Sequence, residues 1–504
     1  MMMGTPSGGD VVRPKEKVRF VEDMTEAEAA MIEGATPAGL QNLGNTCYLN
    51  STLQTLRSVP ELQEELQKYS ASAVGGSQGS SGLDLSQFGL QGSFDLTASL
   101  RDLYKQMSET QQGFPPLVFL NALRTAFPQF AQKAKNGHGY AQQDAEEAWS
   151  QIVSQLRQKL KSKDSNSSQG SATQNVDISF IDKYLAGRFE SILECDEPAA
   201  KEAGEEAVRS EDVFLKLDCH INKDINHLGD GILAGLEEQI EKRSPTLERD
   251  TLYTKKSRIA RLPKYLTVHF VRFFWKREAQ KKAKIMRKVT FPHELDVLEF
   301  CTNTLRKQLV PVRDKVREVR KDEEDIVRAR KRQKLAHKQE EDRAADARSK
   351  GPEEEKKLKE EKEAAKAKEV AKAKEAAKTK QAADTNPTPD DPVYKNDTEH
   401  EAERATALHQ ARKELFALID PGLAEDEGAN KSGLYELRGL VTHQGASADS
   451  GHYTSYVKKT GQVDPMTGKR GEEDGNWWWF NDDKVSEVEA EKIDTLSGGG
   501  EFFL

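Results

Sequence analysis

The chain has 504 residues, 36% of them hydrophobic, and carries a net charge of −9 at pH 7. This length allows two or three average domains, or one large domain with an insertion, and the mild negative charge argues against nucleic-acid binding. No apolar run approaches the length of a membrane span, and residues 1–9 lack the hydrophobic core of a signal peptide. The cysteines lack the spacing of a disulfide framework, which indicates reduced thiols and a soluble, cytoplasmic protein; they are Cys47, Cys195, Cys219 and Cys301.

The first organised stretch is predicted at Gly39–Gln54. It begins as a loop, because two glycines and two asparagines precede Cys47. Leu49, Leu53 and Leu56 then recur at helical spacing and predict one apolar face. Cys47 therefore lies where the loop becomes a helix, and the unpaired N–H groups there favour thiolate over thiol. A nucleophile is favoured, with an inert core thiol as the alternative.

The next part of the chain, residues 47–160, is predicted to be mostly helical, apart from a Gly/Ser-rich loop at 70–92. Within Gln142–Leu156, apolar residues recur on one helical face. Asp144 and Glu147 are three residues apart and are predicted to share another face, where such a pair is most often a solvated helix edge.

Strands are predicted from residue 175 to residue 300. Phe189–Cys195 and Val213–Ile221 alternate or run apolar, and each is predicted to form a strand. Leu262–Phe274 is rich in β-branched and aromatic residues and is predicted to be a buried central strand.

A charged segment follows, because residues 302–393 hold no aromatic residue and are dominated by Lys, Arg, Glu and Ala. We expect a solvent-exposed single helix or a disordered strip that builds no core, followed by a further helix near 405–419. The basic run Arg328–Lys334 is either a nuclear-import patch, which would add a nuclear location, or a charged helix face, and the second is favoured.

The final part of the chain supplies a partner for the thiol. Residues 440–457 and 477–485 are predicted to form strand, loop, strand and strand. His452 opens an alternating strand, and Asn481 and Asp482 follow an aromatic strand, where either can orient an imidazole. Cysteine, histidine and an amide or carboxylate form the usual cysteine-protease set. A strand-end histidine and an ordinary turn are the alternative.

Three motifs together resemble those of the ubiquitin-specific protease family. The block around Cys47 resembles its cysteine box, and Gly451–Tyr453 with Phe480–Asp483 resembles its histidine box. Between them, Tyr140–Trp149 looks like its glutamine-aspartate motif. The resemblance implies an α+β, papain-like fold with a helical thumb, β fingers and a β palm.

The domain boundaries follow from the extent of this resemblance. It implies a catalytic domain in two parts, 37–301 and 432–504, after a polar N-terminal tail at 1–36. The charged insert with its short helix would occupy 302–431. Many family members bind structural zinc in the fingers through two Cys-x-x-Cys pairs. No such pair is present here, so neither a metal nor another cofactor is expected.

The resemblance also implies the activity, hydrolysis of the isopeptide bond after the C-terminal glycine of ubiquitin. Cys47 is then the nucleophile and His452 the base. Asn481 orients the imidazole, with Asp482 as the alternative or an assistant, and Asn42 donates its amide to the oxyanion.

Ubiquitin contacts are implied at Gln143, Asp144, Glu147 and Tyr453, where carboxylates would clamp arginines of the ubiquitin tail. The predicted partners are ubiquitin and ubiquitinated proteins. The likeness is closest to a proteasome-associated member, which adds the proteasome regulatory particle. That member carries a ubiquitin-like domain, which does not fit into residues 1–36. Either this domain is absent or the sequence is incomplete, and the final apolar strand of the family is missing or replaced by four residues. A catalytically idle ubiquitin-binding scaffold is therefore the alternative function.

Overall fold

The structure is a computed structural model, and it describes residues 36–70, 95–134, 139–162, 178–276, 281–349, 397–447, 450–461, 471 and 473–496. Contacts divide the chain into two units, residues 1–307 with 425–504, and residues 308–424. The second unit interrupts the first along the sequence, and its ends lie inside the predicted insert, 302–431. Almost all of the predicted tail and of the Gly/Ser-rich loop lies outside the described residues.

Helices predominate among the described residues of 47–159 and in the described part of the second unit. In chain order they are α1 Cys47–Arg57, α2 Pro60–Lys68, α3 Leu96–Glu109, α4 Leu117–Ala126, α5 Ala145–Lys159, α6 Phe180–Tyr184, α7 Pro198–Glu202, α8 Leu228–Gly235, α9 Asn303–Ser349, α10 Asp397–Leu418, α11 Pro421–Glu425 and α12 Ala490–Asp494. Short 3-10 turns lie at 128–131 and 298–300. Among the described residues, none of these helices is both long and apolar enough to cross a membrane.

The strands lie between α5 and α9 and after α11. In chain order they are β1 Lys161–Ser162, β2 Ile178–Ser179, β3 Gly187–Cys195, β4 Val208–Phe214, β5 Leu217–His220, β6 Glu237–Arg243, β7 Asp250–Arg261, β8 Val268–Val271, β9 Phe273–Lys276, β10 Lys281–Lys284, β11 Glu294–Asp296, β12 Leu434–Glu436, β13 Gly439–Ser447, β14 Ser450–Lys458, β15 Trp477–Asn481 and β16 Lys484–Val488.

Two antiparallel four-stranded sheets organise these strands. One has the order β4-β3-β7-β6 and the other the order β13-β14-β15-β16. Four pairs complete the set: β1 with β2, β9 with β10 and β11 with β12 are antiparallel, whereas β5 with β8 is parallel. The β13–β16 sheet is the one that matters for the site, because α1 packs against β14.

The main core surrounds α1. The predicted apolar face is present, since Leu49 and Leu53 are fully buried and Leu56 is 4% exposed. Side chains from α2 to α6 complete this core, and Tyr453 joins it from β14. A smaller core, which includes Trp477 and Ile493, lies between the β13–β16 sheet and α12.

Two predicted strands differ from the structure. The segment predicted at Val213–Ile221 is divided between β4 and β5, which belong to different sheets. Leu262–Phe274 contains only β8 and the start of β9, and the side chains of β8 are half-buried. The prediction of a buried central strand was therefore wrong, because β-branched and aromatic composition does not reveal how many neighbours a strand has.

The second unit contains two helices that run antiparallel. Lys315 lies early in α9 and pairs with Glu414 late in α10, while Glu323 pairs with Arg404 in the reverse order. The insert was predicted to be exposed throughout. Instead, side chains in the first three turns of α9 are buried at helical spacing: Leu305, Leu309 and Val312. Their apolar stripe is hidden in the sequence by the charged residues around it.

We expect Leu309→Ala to destabilise the protein, because Leu309 is fully buried. The loss should be about 2–5 kcal/mol of unfolding free energy, as for other buried leucines. Leu335, which lies on the same helix and is 60% exposed, provides the matched control. Leu335→Ala should change stability by no more than about 0.5 kcal/mol. Equal melting curves for the two variants, measured by circular dichroism, would show that the start of α9 is not part of a core.

Candidate active site

Cys47 is the first residue of α1, as the loop-to-helix prediction required. The preceding residue, Thr46, is of a type that often caps helices, but its side chain makes no cap hydrogen bond. Its hydroxyl instead accepts the N–H of Leu43, at 2.9 Å. By contrast, Asp95 caps α3 and Asp144 caps α5. The amino end of α1 therefore keeps N–H groups that no capping side chain occupies, directly beside the thiol.

His452 joins Cys47 to Asn481. Its Nε2 lies 2.6 Å from the Asn481 Oδ1, and the imidazole also makes a hydrogen bond with the Cys47 side chain. Since Nε2 is engaged by Asn481, Nδ1 is the nitrogen left for the thiol. The hydrogen bond to Cys47 is the main cause that raises the pKa of His452 to about 9, and the Asn481 contact acts in the same direction. A protonated imidazole beside the Cys47 side chain is therefore favoured at neutral pH.

Asp482 lies close to the same imidazole because the backbone turns after β15. Two successive strand residues point to opposite faces, but Asp482 adopts a left-handed conformation with φ of 54°. Its Oδ2 is 3.9 Å from the His452 Nε2. The same carboxylate accepts Asn42 Nδ2 at 3.0 Å and Asn50 Nδ2 at 2.8 Å. Asp482 thus connects the turn to the loop before α1 and to the second turn of α1.

Asn42 is fixed within the loop that precedes Cys47. Its Oδ1 accepts the N–H groups of Gly44 and Thr46, at 3.0 and 3.2 Å. One hydrogen of its amide is directed to Asp482, which leaves the second available, and the residue is exposed. This geometry is compatible with the predicted donor to an oxyanion.

Two further groups contact the thiol that were not predicted to do so. The Tyr453 backbone N–H donates to the Cys47 Sγ at 3.4 Å, and Gln142 Nε2 lies 4.0 Å from the same atom. The neighbouring Gln143, which was predicted to contact ubiquitin, is half-buried. Two adjacent glutamines before a helix give no signal of which one faces inward, so Gln142 was missed. Asn50, which is 2% exposed, was also missed.

With this geometry in view, the comparisons with known proteins decide the family. The family model described as ubiquitin carboxyl-terminal hydrolase matches residues 38–501. The chain belongs to the ubiquitin carboxyl-terminal hydrolase family. It is accordingly a thiol-dependent deubiquitinase with ubiquitin and ubiquitinated proteins as partners. The α+β prediction is confirmed, and the idle scaffold is not supported.

Full-length relatives support the same assignment. Ubiquitin carboxyl-terminal hydrolase 6 of Schizosaccharomyces pombe is 38% identical over 501 residues, which cover 99% of this chain and 82% of that protein. The Arabidopsis thaliana protein of the same name is 35% identical over 507 residues, with 100% and 83% covered. Ubiquitin carboxyl-terminal hydrolase 14 of Caenorhabditis elegans is 28% identical, with 100% and 78% covered.

The predicted ubiquitin contacts of this hydrolase differ in accessibility. Asp144, Glu147 and Gln143 are half-buried, and the Asp144 carboxylate accepts the Glu146 N–H at 2.9 Å, as a helix cap. Tyr453 is only 4% exposed and belongs to the main core. Its side chain therefore offers little accessible surface, which the sequence did not reveal because alternation along a strand does not show which face is covered. The ubiquitin contact at Tyr453 stays a prediction.

The remaining cysteines of the hydrolase lie in different surroundings. Cys195 ends β3 and lies 3.5 Å from the Thr251 hydroxyl, whereas Cys219 in β5 donates to the Leu228 carbonyl at 3.8 Å. The two therefore belong to different sheets. Burial is the main cause that raises the pKa of Cys219 to about 12, and it does the same for Cys301. The Cys219 and Cys301 thiols are therefore protonated at neutral pH and are poor nucleophiles.

We expect the pKa of His452 to fall from about 9 toward its ordinary value of 6.5 in Cys47→Ala. Removing the thiolate removes the anion that stabilises the imidazolium, so the neutral imidazole is favoured. Histidine ring signals followed by NMR from pH 5 to 10 would measure this change, with His452→Gln used to assign the signal. An unchanged pKa in Cys47→Ala would show that His452 and Cys47 do not form an ion pair.

Proposed function

We propose that Cys47 and His452 carry out the hydrolysis as a thiolate–imidazolium pair. The Cys47 thiolate attacks the carbonyl carbon of the terminal glycine of ubiquitin. When the tetrahedral intermediate collapses, the carbon–nitrogen bond breaks and the imidazolium gives its proton to the departing lysine amine. The neutral imidazole then takes a proton from water, whose oxygen attacks the thioester. Ubiquitin leaves with a free carboxylate, and the thiolate and imidazolium are restored. The observation that carries this proposal is the arrangement of three side chains: the His452 imidazole makes hydrogen bonds with Cys47, at the start of α1, and with the Asn481 Oδ1 at 2.6 Å.

Asn481 has the role of the orienting residue in this proposal. Its Oδ1 accepts from Nε2 at 2.6 Å, which turns Nδ1 toward the thiol. A neutral amide stabilises an imidazolium less than a carboxylate does, but a cysteine enzyme needs less help, because a thiolate forms more readily than an alkoxide. The Asp482 carboxylate at 3.9 Å adds a second, longer-range stabilisation of the imidazolium.

The oxyanion is assigned to the end of α1. The free hydrogen of the Asn42 amide and the Cys47 backbone N–H supply two donors, and the helix dipole favours the negative charge. Asp482 acts on this step through Asn42, since it accepts the other amide hydrogen at 3.0 Å. Gln142 lies close enough to the thiol to supply a further amide donor.

The ubiquitin tail is assigned to the amino end of α5. Asp144 and Glu147 are partly accessible there, and α5 also carries Ala145, whose carbonyl accepts from Thr52 of α1 at 3.3 Å. Two carboxylates on a helix that packs against α1 suit a tail with arginines before its terminal glycines.

We expect Cys47→Ala to abolish hydrolysis and to keep ubiquitin binding. The thiol is 2% exposed and adds little contact area, whereas the reaction has no nucleophile without it. Hydrolysis would be measured with a fluorogenic amide of the ubiquitin C-terminus, and binding by isothermal titration calorimetry. Cys219→Ala is the matched control and should keep both properties. Binding that is lost together with activity would contradict this division of roles.

We expect Asn42→Ala and Asp482→Ala each to lower kcat by about 10²-fold or more, because both remove an oriented oxyanion donor. If Asp482 acts mainly through Asn42, the double variant should lose little more than the worse single variant. Asn481→Asp should remain largely active, since a carboxylate can accept from Nε2. If the double variant of Asn42 and Asp482 instead loses kcat by the product of the two single losses, Asp482 acts directly on the imidazole.

We further propose association with the proteasome and a cytoplasmic location. The support is the likeness of three stretches to a proteasome-associated family member: Val18–Met24, Arg57–Leu62 and Leu262–Phe274. Binding to purified proteasomes on native gels, with stimulated hydrolysis, is the expected result. Failure to co-migrate with purified proteasomes would remove this part of the proposal and leave the hydrolase assignment intact.

A further inference from the structure

A buried lysine lies behind the strand that carries His452. Lys284 ends β10 and is 8% exposed. Its ammonium group donates to the carbonyl oxygens of His443 and Gly445, at 2.8 and 3.1 Å, and lies 2.8 Å from the His443 Nδ1. All three atoms belong to β13, where its pairing with β14 becomes irregular between Gln444 and Ser447. Lys284 therefore holds β13 in place at the point where its regular pairing with β14 is interrupted.

The His443 ring transmits this contact to β14. It packs against Phe273 on one side and Tyr453 on the other, with ring centroids 5.6 and 4.5 Å away. It also occupies the space beside Gly451, where a Cβ would lie 2.6 Å from the His443 Nε2. Gly451 has a φ of 133°, which disfavours any other residue. The imidazole thus directly supports the residue before His452.

We propose that Lys284 is a positioning residue for the reaction: through His443, it holds Gly451 and His452 in the place from which the imidazole reaches Cys47. This inference rests on the proposed role of His452. Lys284 makes its hydrogen bonds to His443 and Gly445 of β13, so its effect on His452 passes through the packing of β13 on β14. Burying the Lys284 cation costs free energy of folding, and functional sites often accept such a loss of stability to fix the position of a reacting group.

The charges around Lys284 make this support sensitive to pH. Burial, and then the charge of Arg272, lower the pKa of Lys284 to about 7. Burial and Lys284 itself lower the pKa of His443 to about 4, so His443 is neutral and its Nδ1 can accept. The titratable groups of the adjoining strand β14 are His452, Tyr453, Tyr456 and Lys458, and burial raises the pKa of Tyr453. Above about pH 7 the ammonium loses its proton and its bonds to the two carbonyls lose their charge assistance.

The same pKa determines the sign of the stability effect. The folded protein holds the Lys284 proton less tightly than the unfolded chain, whose lysine titrates near 10.5. The unfolded state therefore binds more protons between pH 7 and 10.5, so the contribution of Lys284 to stability rises with pH over this range. Over the same pH range, deprotonated Lys284 holds β13, and through it His452, less firmly. Stability should therefore rise with pH while activity falls.

Lys284→Met tests the inference, because methionine keeps much of the side-chain volume without the charge. We expect kcat/KM for the fluorogenic ubiquitin amide to fall about tenfold or more at pH 7, as expected when a reacting group is displaced. The pKa of His452, measured by NMR, should fall below about 9. In wild type, kcat/KM should decline as the pH rises above about 7, and this decline should be absent from Lys284→Met. Lys288→Met is the control, since Lys288 is an exposed lysine four residues on, and it should match wild type.

A second variant keeps the test decisive if Lys284→Met does not fold. His443→Phe retains a ring between Phe273 and Tyr453 but removes the Nδ1 acceptor, and it should lower kcat/KM in the same direction. The inference is overturned if the folded variants keep kcat/KM within twofold of wild type, or lose activity only as their melting temperature falls while the pKa of His452 stays unchanged. His452→Ala is measured alongside: if it remains active, the proposed function fails, whereas an inactive His452→Ala beside a wild-type-like Lys284→Met rejects the role of Lys284 alone.

Discussion

The site depends on the contact between the turn after β15 and the loop before α1. The Asp482 carbonyl accepts the Leu40 N–H at 3.0 Å, and its carboxylate accepts from Asn42 and Asn50. The approach is so close that a Cβ at Gly39 would collide with the Asp483 backbone. This contact joins residues that are 440 positions apart in the chain. It brings the helix that carries Cys47 against the sheet that carries His452, and it explains why Asp482 adopts a left-handed conformation that most residues avoid.

Around this contact, the hydrolase buries polar groups that a purely stable protein would exclude. The Asn50 Oδ1 has no hydrogen-bond partner among the described residues, although the residue is buried. Arg272 is 2% exposed, and burial lowers its pKa to about 10. Such groups cost free energy unless they are fully hydrogen-bonded. Asn50 lies within α1 and donates to Asp482, and the charge of Arg272 acts on the buried Lys284. These positions indicate that stability is given up where the reacting groups must be held in place.

The sequence predicted what local patterns encode. Helical spacing of leucines placed α1 and left Cys47 at its start, and the aromatic strand before Asn481 placed the third catalytic candidate. Features that depend on distant contacts could not be predicted. No local pattern distinguishes Gln142 from Gln143, shows that Tyr453 faces the core, or reveals that Leu309 is buried within a charged helix. The left-handed turn at Asp482, which lets Asn481 and Asp482 both approach one imidazole, involves contacts with residues 440 positions away and has no local signal.

The central claim is that Cys47 is the nucleophile of a deubiquitinase and the other three thiols are not. Reaction of the full chain with ubiquitin that carries an electrophile at its C-terminus, followed by peptide mapping of the adduct, tests this most directly. The account predicts one ubiquitin per chain, attached to Cys47 alone, because only this thiol lies at a helix start beside an imidazolium. An adduct on Cys195, Cys219 or Cys301 would contradict it.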